Sequence, residues 1–176
     1  MDAISSHRQH DGAEEFSALL QQHRGIVFKV AGTYARDADD REDLAQDIAA
    51  QLWRAWPRYD PSRSFSTWMY RVALNVGISH LRGDGRRRHL VPLEEGLHES
   101  VAPDTVDHER DQRSRMLHGF IATLEPLNRA LLLLYLEDRS TRDMAEVLGM
   151  SESNVTTRIS RLKRRIRDHV APTGTP

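Results

Sequence analysis

Most of the chain places its hydrophobic residues at helical spacing, and no segment of useful length alternates apolar and polar residues as a half-buried strand would. In the amino-terminal half, apolar positions share one face from Phe16 to Tyr34, and a second stripe runs from Leu44 to Ala55. A third helix begins near Ser64, and we expect the Gly83-Asp84-Gly85 stretch to end it. The pattern predicts an all-α fold.

The carboxy-terminal half contains the most specific pattern, which predicts two short helices joined by a tight turn. Ser140 can cap the first helix, with Asp143 in capping-box position, and Gly149 follows where a left-handed residue ends a helix at no steric cost. Ser151 can cap the second helix. The apolar residues of that helix form a narrow buried stripe: Val155, Ile159, Leu162 and Ile166. The small residue Ala145, the turn glycine and the branched Val155 have the spacing of a helix-turn-helix.

The segment between the two helical halves has a different composition. Residues 83–106 contain three glycines and two prolines with little periodicity, and residues 93–111 contain seven acidic residues and one basic residue. We interpret this as a flexible acidic linker between two small helical domains. The predicted organisation is a flexible leader (1–12), a first helical domain (13–88), the linker (89–108), a second helical domain with the helix-turn-helix (109–170) and a flexible tail (171–176).

Composition excludes several classes of protein. The 176 residues include 25 basic and 26 acidic side chains, for a net charge of −1, and no cysteine. A disulfide scaffold, a thiolate zinc site and a cysteine nucleophile are therefore excluded. The first residues lack the apolar core of a signal peptide, and the longest apolar run, Ala130 to Leu136, is far shorter than the ~20 residues that span a bilayer. We expect a cytoplasmic protein without membrane insertion.

The second helix of the helix-turn-helix has the charge that a DNA-binding helix needs. From Ser153 to Arg167 there are six basic residues and no acidic ones, and small hydroxyl and amide side chains lie at the amino end. Such a helix can hold phosphates with its cations and reach base edges with its first residues. The alternative is an ordinary amphipathic helix with a solvated basic face. The turn pattern together with the charge favours DNA binding.

An acidic run at residues 36–47 contains six acidic and two basic side chains and has three interpretations. Metal binding is disfavoured, because no histidine stands at helical spacing from these carboxylates and no glycine shapes a calcium loop. The other two are a solvated helix end, where acidic residues are favoured, and a docking surface for a basic protein. No serine, histidine and carboxylate set and no glycine-rich nucleotide loop is evident. We expect no metal, no cofactor and no catalytic residues.

The third helix carries a polar stripe, with Arg71, Asn75, Ser79 and Arg82 spaced at four, four and three residues. Residues 86–88 are three further arginines. With Trp68 and Tyr70 nearby, this face could bind a phosphate backbone and stack unpaired bases. The alternatives are a solvated helix end for the stripe and simple burial for the aromatic rings.

Taken together, the two halves resemble a sigma factor of bacterial RNA polymerase, in particular the small extracytoplasmic-function (ECF) group of the sigma-70 family. The sequence DREDLAQD at residues 40–47 resembles region 2.2 of the family, and FSTWMYRVALN at residues 65–75 resembles the region that recognises and melts the minus-ten element. Residues 140–167 resemble region 4.2, which reads the minus-35 element. The resemblance covers residues 15–168, and both motifs occur in the family's order across a linker.

The resemblance implies a role for each matched position. It implies docking on the clamp coiled coil of the largest subunit of core RNA polymerase by Asp40, Asp43, Leu44, Gln46 and Asp47. It implies minus-ten contacts by Arg71, Asn75, Ser79 and Arg82, with the loop at residues 58–64. It implies minus-35 contacts by Ser153, Asn154, Thr157, Arg158, Arg161 and Arg164. The partners are then core polymerase and promoter DNA, and an anti-sigma factor is common in the family.

Three functions remain distinguishable by experiment. The leading one is a promoter-specificity subunit without catalysis of its own, which should co-purify with core polymerase. The second is a helix-turn-helix regulator with an amino-terminal sensor or dimerisation module, which should bind duplex DNA tightly as a dimer. The third is a small helical metal-dependent hydrolase built on the acidic run, which should lose its metal when Asp43 is changed to alanine.

Overall fold

The computed structural model describes residues 3–88 and 119–170, with side chains at 12–83 and 119–169. The chain divides into two compact units, Met1–Asp84 and Gly85–Pro176. Within the described residues every regular element is a helix. This confirms the all-α prediction of two helical domains. The predicted linker (89–108) and tail (171–176) lie outside the described residues.

Unit 1 contains four α-helices and a short 3₁₀ turn. The helices are α1 (Ala3–Gln22), α2 (Arg24–Tyr34), α3 (Ala38–Ala55) and α4 (Phe65–Arg88), and the 3₁₀ turn is Trp56–Arg58. Residues 3–12, which the sequence predicts to be part of a flexible leader, are helical and belong to α1. Once Phe16 anchors the helix in the core, each added residue gains one backbone hydrogen bond at little further cost.

Two predicted helix boundaries differ from the structure. The single face predicted from Phe16 to Tyr34 is divided at His23 into α1 and α2, which together bury Phe16, Ile26, Val27 and Val30. The predicted end of the third helix at Gly83 is also wrong, because α4 continues through Arg88. A glycine weakens a helix by about 1 kcal/mol but does not remove a backbone hydrogen bond, so it does not by itself end one.

Aromatic rings hold the loop between α3 and α4 against the rest of unit 1. The rings of Trp56 and Tyr59 stack with centroids 5.2 Å apart, and Tyr59 also contacts Trp68 at 5.0 Å. Phe16 of α1 meets Trp56 at 5.4 Å. The cluster joins three helices and the loop: Phe16, Trp53, Trp56, Tyr59, Phe65 and Trp68. The Tyr59 hydroxyl donates to the backbone oxygen of Arg63 at 2.8 Å, which fixes the loop further.

The Tyr34 ring of α2 packs directly against Gly77 of α4. A β-carbon built on Gly77 would lie 2.7 Å from a ring carbon of Tyr34, which is fully buried. No side chain larger than hydrogen fits there without moving the ring. Gly77 therefore sets how closely the second half of α4 approaches the core.

Unit 2 contains a helical turn at residues 119–122 and the helices α5 (Pro126–Leu136), α6 (Thr141–Leu148) and α7 (Glu152–Val170). The predicted turn is confirmed. The Ser140 hydroxyl oxygen accepts from the backbone N–H of Asp143 at 3.0 Å, and Gly149 has a left-handed φ of 66°. The apolar stripe of α7 packs on α5 and α6 through its buried residues: Val155, Ile159 and Leu162. Helices α6 and α7 form the helix-turn-helix.

Candidate nucleic-acid and polymerase interfaces

The outward face of α7 is polar, open and basic. Ser153, Thr157, Arg161 and Arg164 are exposed, as is Asn154 on the flank. The Thr157 hydroxyl donates to the backbone oxygen of Ser153 at 2.9 Å, so its acceptor lone pairs and methyl group point away from the helix. This arrangement leaves small side chains at the amino end of the helix, where close approach to base edges is possible.

The six cations of α7 fall into two groups that the sequence does not distinguish. Lys163 Nζ lies 4.4 Å from the ring centroid of Tyr135, and the Arg165 guanidinium lies 5.9 Å from that of Phe120. In the part of the chain that the structure describes, Arg161, Arg164 and Arg167 have no ion-pair or aromatic partner. These three lie on the outward face, so their charge is available to an anion.

Arg158 differs from the other predicted minus-35 residues. It is half-buried, its Nε donates to Asn154 Oδ1 at 3.0 Å, and its Nη1 donates to Asn128 Oδ1 of α5 at 3.5 Å. At about 100° per residue it lies only about 60° from the centre of the buried stripe. Arg158 therefore bridges α7 to α5, and its contact with minus-35 DNA stays a prediction.

Three further residues belong to the same surface and were absent from the predicted site. A shallow concave surface on α7 is lined by Thr156, Thr157, Ser160, Arg161, Arg164 and Arg167. Thr156, Ser160 and Arg167 are the additions. Helical spacing could have identified Arg167, because it stands three residues beyond Arg164 and seven beyond Ser160 on the same face.

The predicted minus-ten stripe of α4 is exposed along its whole length. Arg71, Asn75, Ser79 and Arg82 all face solvent on one side of the helix, while Met69, Ala73 and Leu74 are buried on the other. Trp68 is only partly buried, in contact with Tyr59 of the aromatic cluster, and Tyr70 is in the core. The side chains of residues 86–88 lie outside the described set.

Helix α3 carries the predicted docking residues, and two of the five are not on its surface. Asp43, Gln46 and Asp47 are exposed, whereas Leu44 is fully buried and Asp40 is only 8% exposed. Leu44 stands with Ile48 and Leu52 on the core stripe at helical spacing, so the surface position predicted for it is wrong. Asp40 is likewise corrected, because its carboxylate is engaged within unit 1.

The Asp40 carboxylate accepts hydrogen bonds from Arg36, through the backbone N–H at 2.9 Å, Nε at 3.2 Å and Nη2 at 3.3 Å. His80 Nε2 of α4 lies 3.0 Å from Asp40 Oδ1. Burial by itself would raise the pKa of this carboxyl group, but the hydrogen bonds from Arg36 and the contact with His80 outweigh burial and lower the pKa to about 2. Asp40 is therefore an ionised internal group that connects α3 to α4.

The exposed ends of the two predicted sites of unit 1 meet in one groove. Asp47 of α3 and Asn75 and Ser79 of α4 line the same groove, with His80 at its edge. The acidic docking stripe and the minus-ten stripe are thus neighbouring surfaces that share a border. The sequence places these residues some 30 positions apart and gives no indication of this contact.

The structure offers no support for the metal-dependent alternative in the part it describes. Within residues 3–88 and 119–170, no group of three or more histidine, aspartate or glutamate side chains is arranged to hold a metal ion. None of the described helices is long and apolar enough to cross a membrane.

Comparison with known proteins identifies both units. Residues 19–87 match the family model for Sigma-70 region 2, and residues 114–166 match the model for Sigma-70, region 4. The ECF RNA polymerase sigma factor RpoE of Cereibacter sphaeroides is 32% identical over 97% of this chain and 93% of its own. The ECF RNA polymerase sigma-E factor of Haemophilus influenzae is 28% identical over 97% of this chain and 95% of its own.

Solved structures agree on the fold. The chain resembles CnrH in its complex with the cytosolic domain of CnrY, with a TM-score of 0.67 and 20% identity over 92% of this chain and 91% of that one. It also resembles the sigma factor RpoE of Bartonella quintana in complex with the anti-sigma factor NepR, with a TM-score of 0.62 and 19% identity over 93% and 99% of the two chains. The two family models, one for each helical unit, define the class as a sigma factor of transcription initiation. The chain belongs to the ECF group of the sigma-70 family.

Proposed function

We propose that this sigma factor binds core RNA polymerase in the cytoplasm and directs it to a specific set of promoters, where it also takes part in melting the DNA. In this proposal α7 reads the minus-35 element, α4 contacts the minus-ten element, and the exposed residues of α3 dock on the clamp coiled coil of the largest subunit. The observation that supports it most directly is the group of three unpartnered arginines on the outward face of the helix-turn-helix: Arg161, Arg164 and Arg167.

The charges on the exposed faces of α3 and α7 support different roles for the two helices. Phosphate binding needs cations that are not already paired within the protein, and α7 provides three on one face. The exposed stripe of α3 carries Asp43 and Asp47 beside Gln46, which suits a basic protein surface and repels DNA. The protein-binding role therefore belongs to α3 and the minus-35 role to α7.

The primary experiment is transcription in vitro with the purified chain, core polymerase and fragmented genomic DNA. Specific transcripts that require the chain are the expected result, and their start sites give the promoter sequences. Strand opening is followed on one recovered promoter by permanganate reactivity of unpaired thymines. Tight binding to duplex DNA as a dimer, with no transcripts, would instead favour the helix-turn-helix regulator.

Two opposite substitutions separate the two units. Arg161→Ala should lower promoter-directed transcription about tenfold or more and leave core polymerase affinity unchanged, because one contact to DNA in the groove is removed. Lys163→Ala is its matched control on the same helix, since Lys163 lies over Tyr135 and away from the outward face. Loss of polymerase binding in Arg161→Ala would contradict the assignment of α7.

Asp43→Lys should have the reverse effect. It replaces an exposed carboxylate in the middle of the α3 stripe by a cation, which repels a basic clamp surface. Polymerase affinity should fall by about tenfold or more, because like charges placed across an interface cost several kcal/mol. Glu42→Lys, an equally exposed substitution about 100° from Asp43 around α3, should have a smaller effect. Normal polymerase affinity in Asp43→Lys would contradict the docking assignment.

Regulation by an anti-sigma factor is part of the proposal. The supporting observation is that two structurally similar sigma factors were solved with a bound protein, one of them named as the anti-sigma factor NepR. A regulator that covers the polymerase-docking or DNA-binding faces would hold the factor inactive. Affinity purification of the tagged chain from its own cells, with and without excess core polymerase, tests this. Polymerase should displace a regulator of this kind.

A further inference from the structure

Asp40 lies between the two proposed surfaces of unit 1 without belonging to either. Its carboxylate is 8% exposed, and its backbone N–H donates to Asp37 Oδ1 at 2.8 Å, so it stands in the first turn of α3. The docking residues Asp43, Gln46 and Asp47 begin one turn later on the exposed side of the same helix. Asp40 is therefore fixed to the helix that carries the docking stripe.

The partner of this carboxylate on α4 is His80, which directly follows Ser79 of the minus-ten stripe. His80 Nε2 is 3.0 Å from Asp40 Oδ1, and the His80 side chain is 20% exposed. Arg82 of the same stripe is two residues further along. Three residues before His80, Gly77 packs against the Tyr34 ring of α2. The turn that carries Ser79 and Arg82 thus has a close apolar contact just before it and the polar contact of His80 within it.

We propose that Asp40 and His80 are positioning residues that hold the minus-ten stripe of α4 in a fixed relation to the docking stripe of α3. Arg36 completes the arrangement, because its three hydrogen bonds keep the Asp40 carboxylate ionised and aimed at α4. A buried anion held by Arg36 on one side and facing His80 Nε2 at 3.0 Å on the other has a defined position, whereas an apolar contact at the same place would tolerate sliding. The proposal rests on the minus-ten role proposed for α4.

The proposal predicts that this contact affects strand opening at the promoter and not affinity for core polymerase. Removing the contact leaves the exposed residues of α3 unchanged, so core polymerase binding is retained. The turn of Ser79 and Arg82 loses its polar tie to α3, so the holoenzyme presents a less ordered surface to the minus-ten strand. A loss of fold would instead lower polymerase binding and minus-ten binding together.

The test uses the full chain assembled with core polymerase and a promoter recovered from the genomic-fragment experiment. His80→Ala should keep polymerase affinity within about twofold and lower strand opening about tenfold, because removing one partner of a buried charge typically costs at least that factor. His80→Gln should restore most of the opening, since the glutamine amide can donate to the carboxylate from a similar position. Gln21→Ala, at an exposed position of α1 outside both stripes, is the neutral control.

Three outcomes overturn the proposal, and the third also contradicts the minus-ten role on which it rests. Equal losses of polymerase affinity and opening in His80→Ala would show a merely structural role. Unchanged opening in His80→Ala, with opening lost in Asn75→Ala, would show that Asp40 and His80 do not position the stripe. Unchanged opening in both variants would remove the minus-ten role of α4 itself, and with it the proposal.

Discussion

Helices α3 and α7 each carry a run of like charge, and the fold divides each run differently. On α7 the division depends on the position around the helix. Among the described residues, the outward arginines have no partner, whereas the cations on the flanks contact Tyr135, Phe120 or Asn128. On α3 one carboxylate of the run, Asp40, is buried and bonded to two other residues, while its neighbours are exposed. A run of like charge therefore indicates an interface only through those of its residues that are not paired within the protein.

The reason for the difference is the depth at which each charge meets a partner. The cations of α7 have long side chains that reach from the flank to a ring or amide at the surface, so their charged ends stay partly hydrated. Asp40 is short and close to the helix axis, so it can only be satisfied by groups brought to it from Arg36 and from α4. Pairing on α3 is consequently a property of the whole unit, whereas pairing on α7 is mostly a property of one helix and its immediate neighbour.

The largest expected effect tests the distinction between core and surface on α3. Leu44→Ala should lower the free energy of unfolding of unit 1 by about 2–5 kcal/mol, because it leaves a cavity among fully buried residues. The neighbouring Asp43→Ala should change it by less than about 0.5 kcal/mol. Chemical denaturation followed by tryptophan fluorescence reports unit 1, because all three tryptophans are there. Unchanged stability with lost polymerase binding in Leu44→Ala would return Leu44 to the docking surface.

The second effect concerns Asp40 and depends on pH. Its pKa is lowered from 3.8 to about 2 in the fold, so its ionised form stabilises unit 1 by about 2 kcal/mol at neutral pH. That contribution is fully present above about pH 4 and is lost as the pH falls through 2. Asp40→Asn should be less stable by about this amount at pH 7, with the difference from the native chain shrinking on acidification. A difference that stays constant down to pH 2 would contradict the internal ion pair.

The third effect compares two glycines. Gly149→Ala should destabilise unit 2 by about 1–2 kcal/mol, since φ is 66° there and a β-carbon disfavours that conformation. Gly25→Ala, within α2 and with no atom within 4 Å of the added carbon, should stabilise unit 1 by about 0.5–1 kcal/mol. Far-ultraviolet circular dichroism follows both units, and tryptophan fluorescence should respond only to Gly25→Ala. Unchanged or increased stability of unit 2 in Gly149→Ala would mean that the left-handed turn geometry is not needed.

The smallest effect distinguishes two adjacent arginines of α7. Arg164→Ala should reduce the slope of the logarithm of DNA affinity against the logarithm of salt concentration by about 1, because a phosphate contact is removed. Arg165→Ala should leave the slope nearly unchanged, since that guanidinium lies over Phe120. Both should affect unfolding by less than about 0.5 kcal/mol. The same slope change in both variants would show that the two groups of cations on α7 are not distinct in function.

Sequence patterns predicted unit 2 more completely than unit 1. Ser140, Gly149 and the stripe of Val155 act through local rules of capping, turn conformation and helical spacing, and each is placed as predicted. In unit 1 the same rules gave the existence of the helices but not all of their ends: α1 reaches back to Ala3 and α4 runs past Gly83. Helix ends depend on small differences in free energy that packing can reverse.

By itself the sequence determined the helical class, the helix-turn-helix and the opposed charge runs of α3 and α7, because periodicity and charge are properties of neighbouring residues. Only the tertiary structure decided which charged residues are available to a partner. Asp40 and Arg158 are charged residues of the kind that binds a partner, yet in this structure they contact His80 and Asn128 within the protein. Those partners are 40 and 30 residues away in the chain, and a pairing over such a distance is fixed by how helices pack and leaves no trace in local pattern.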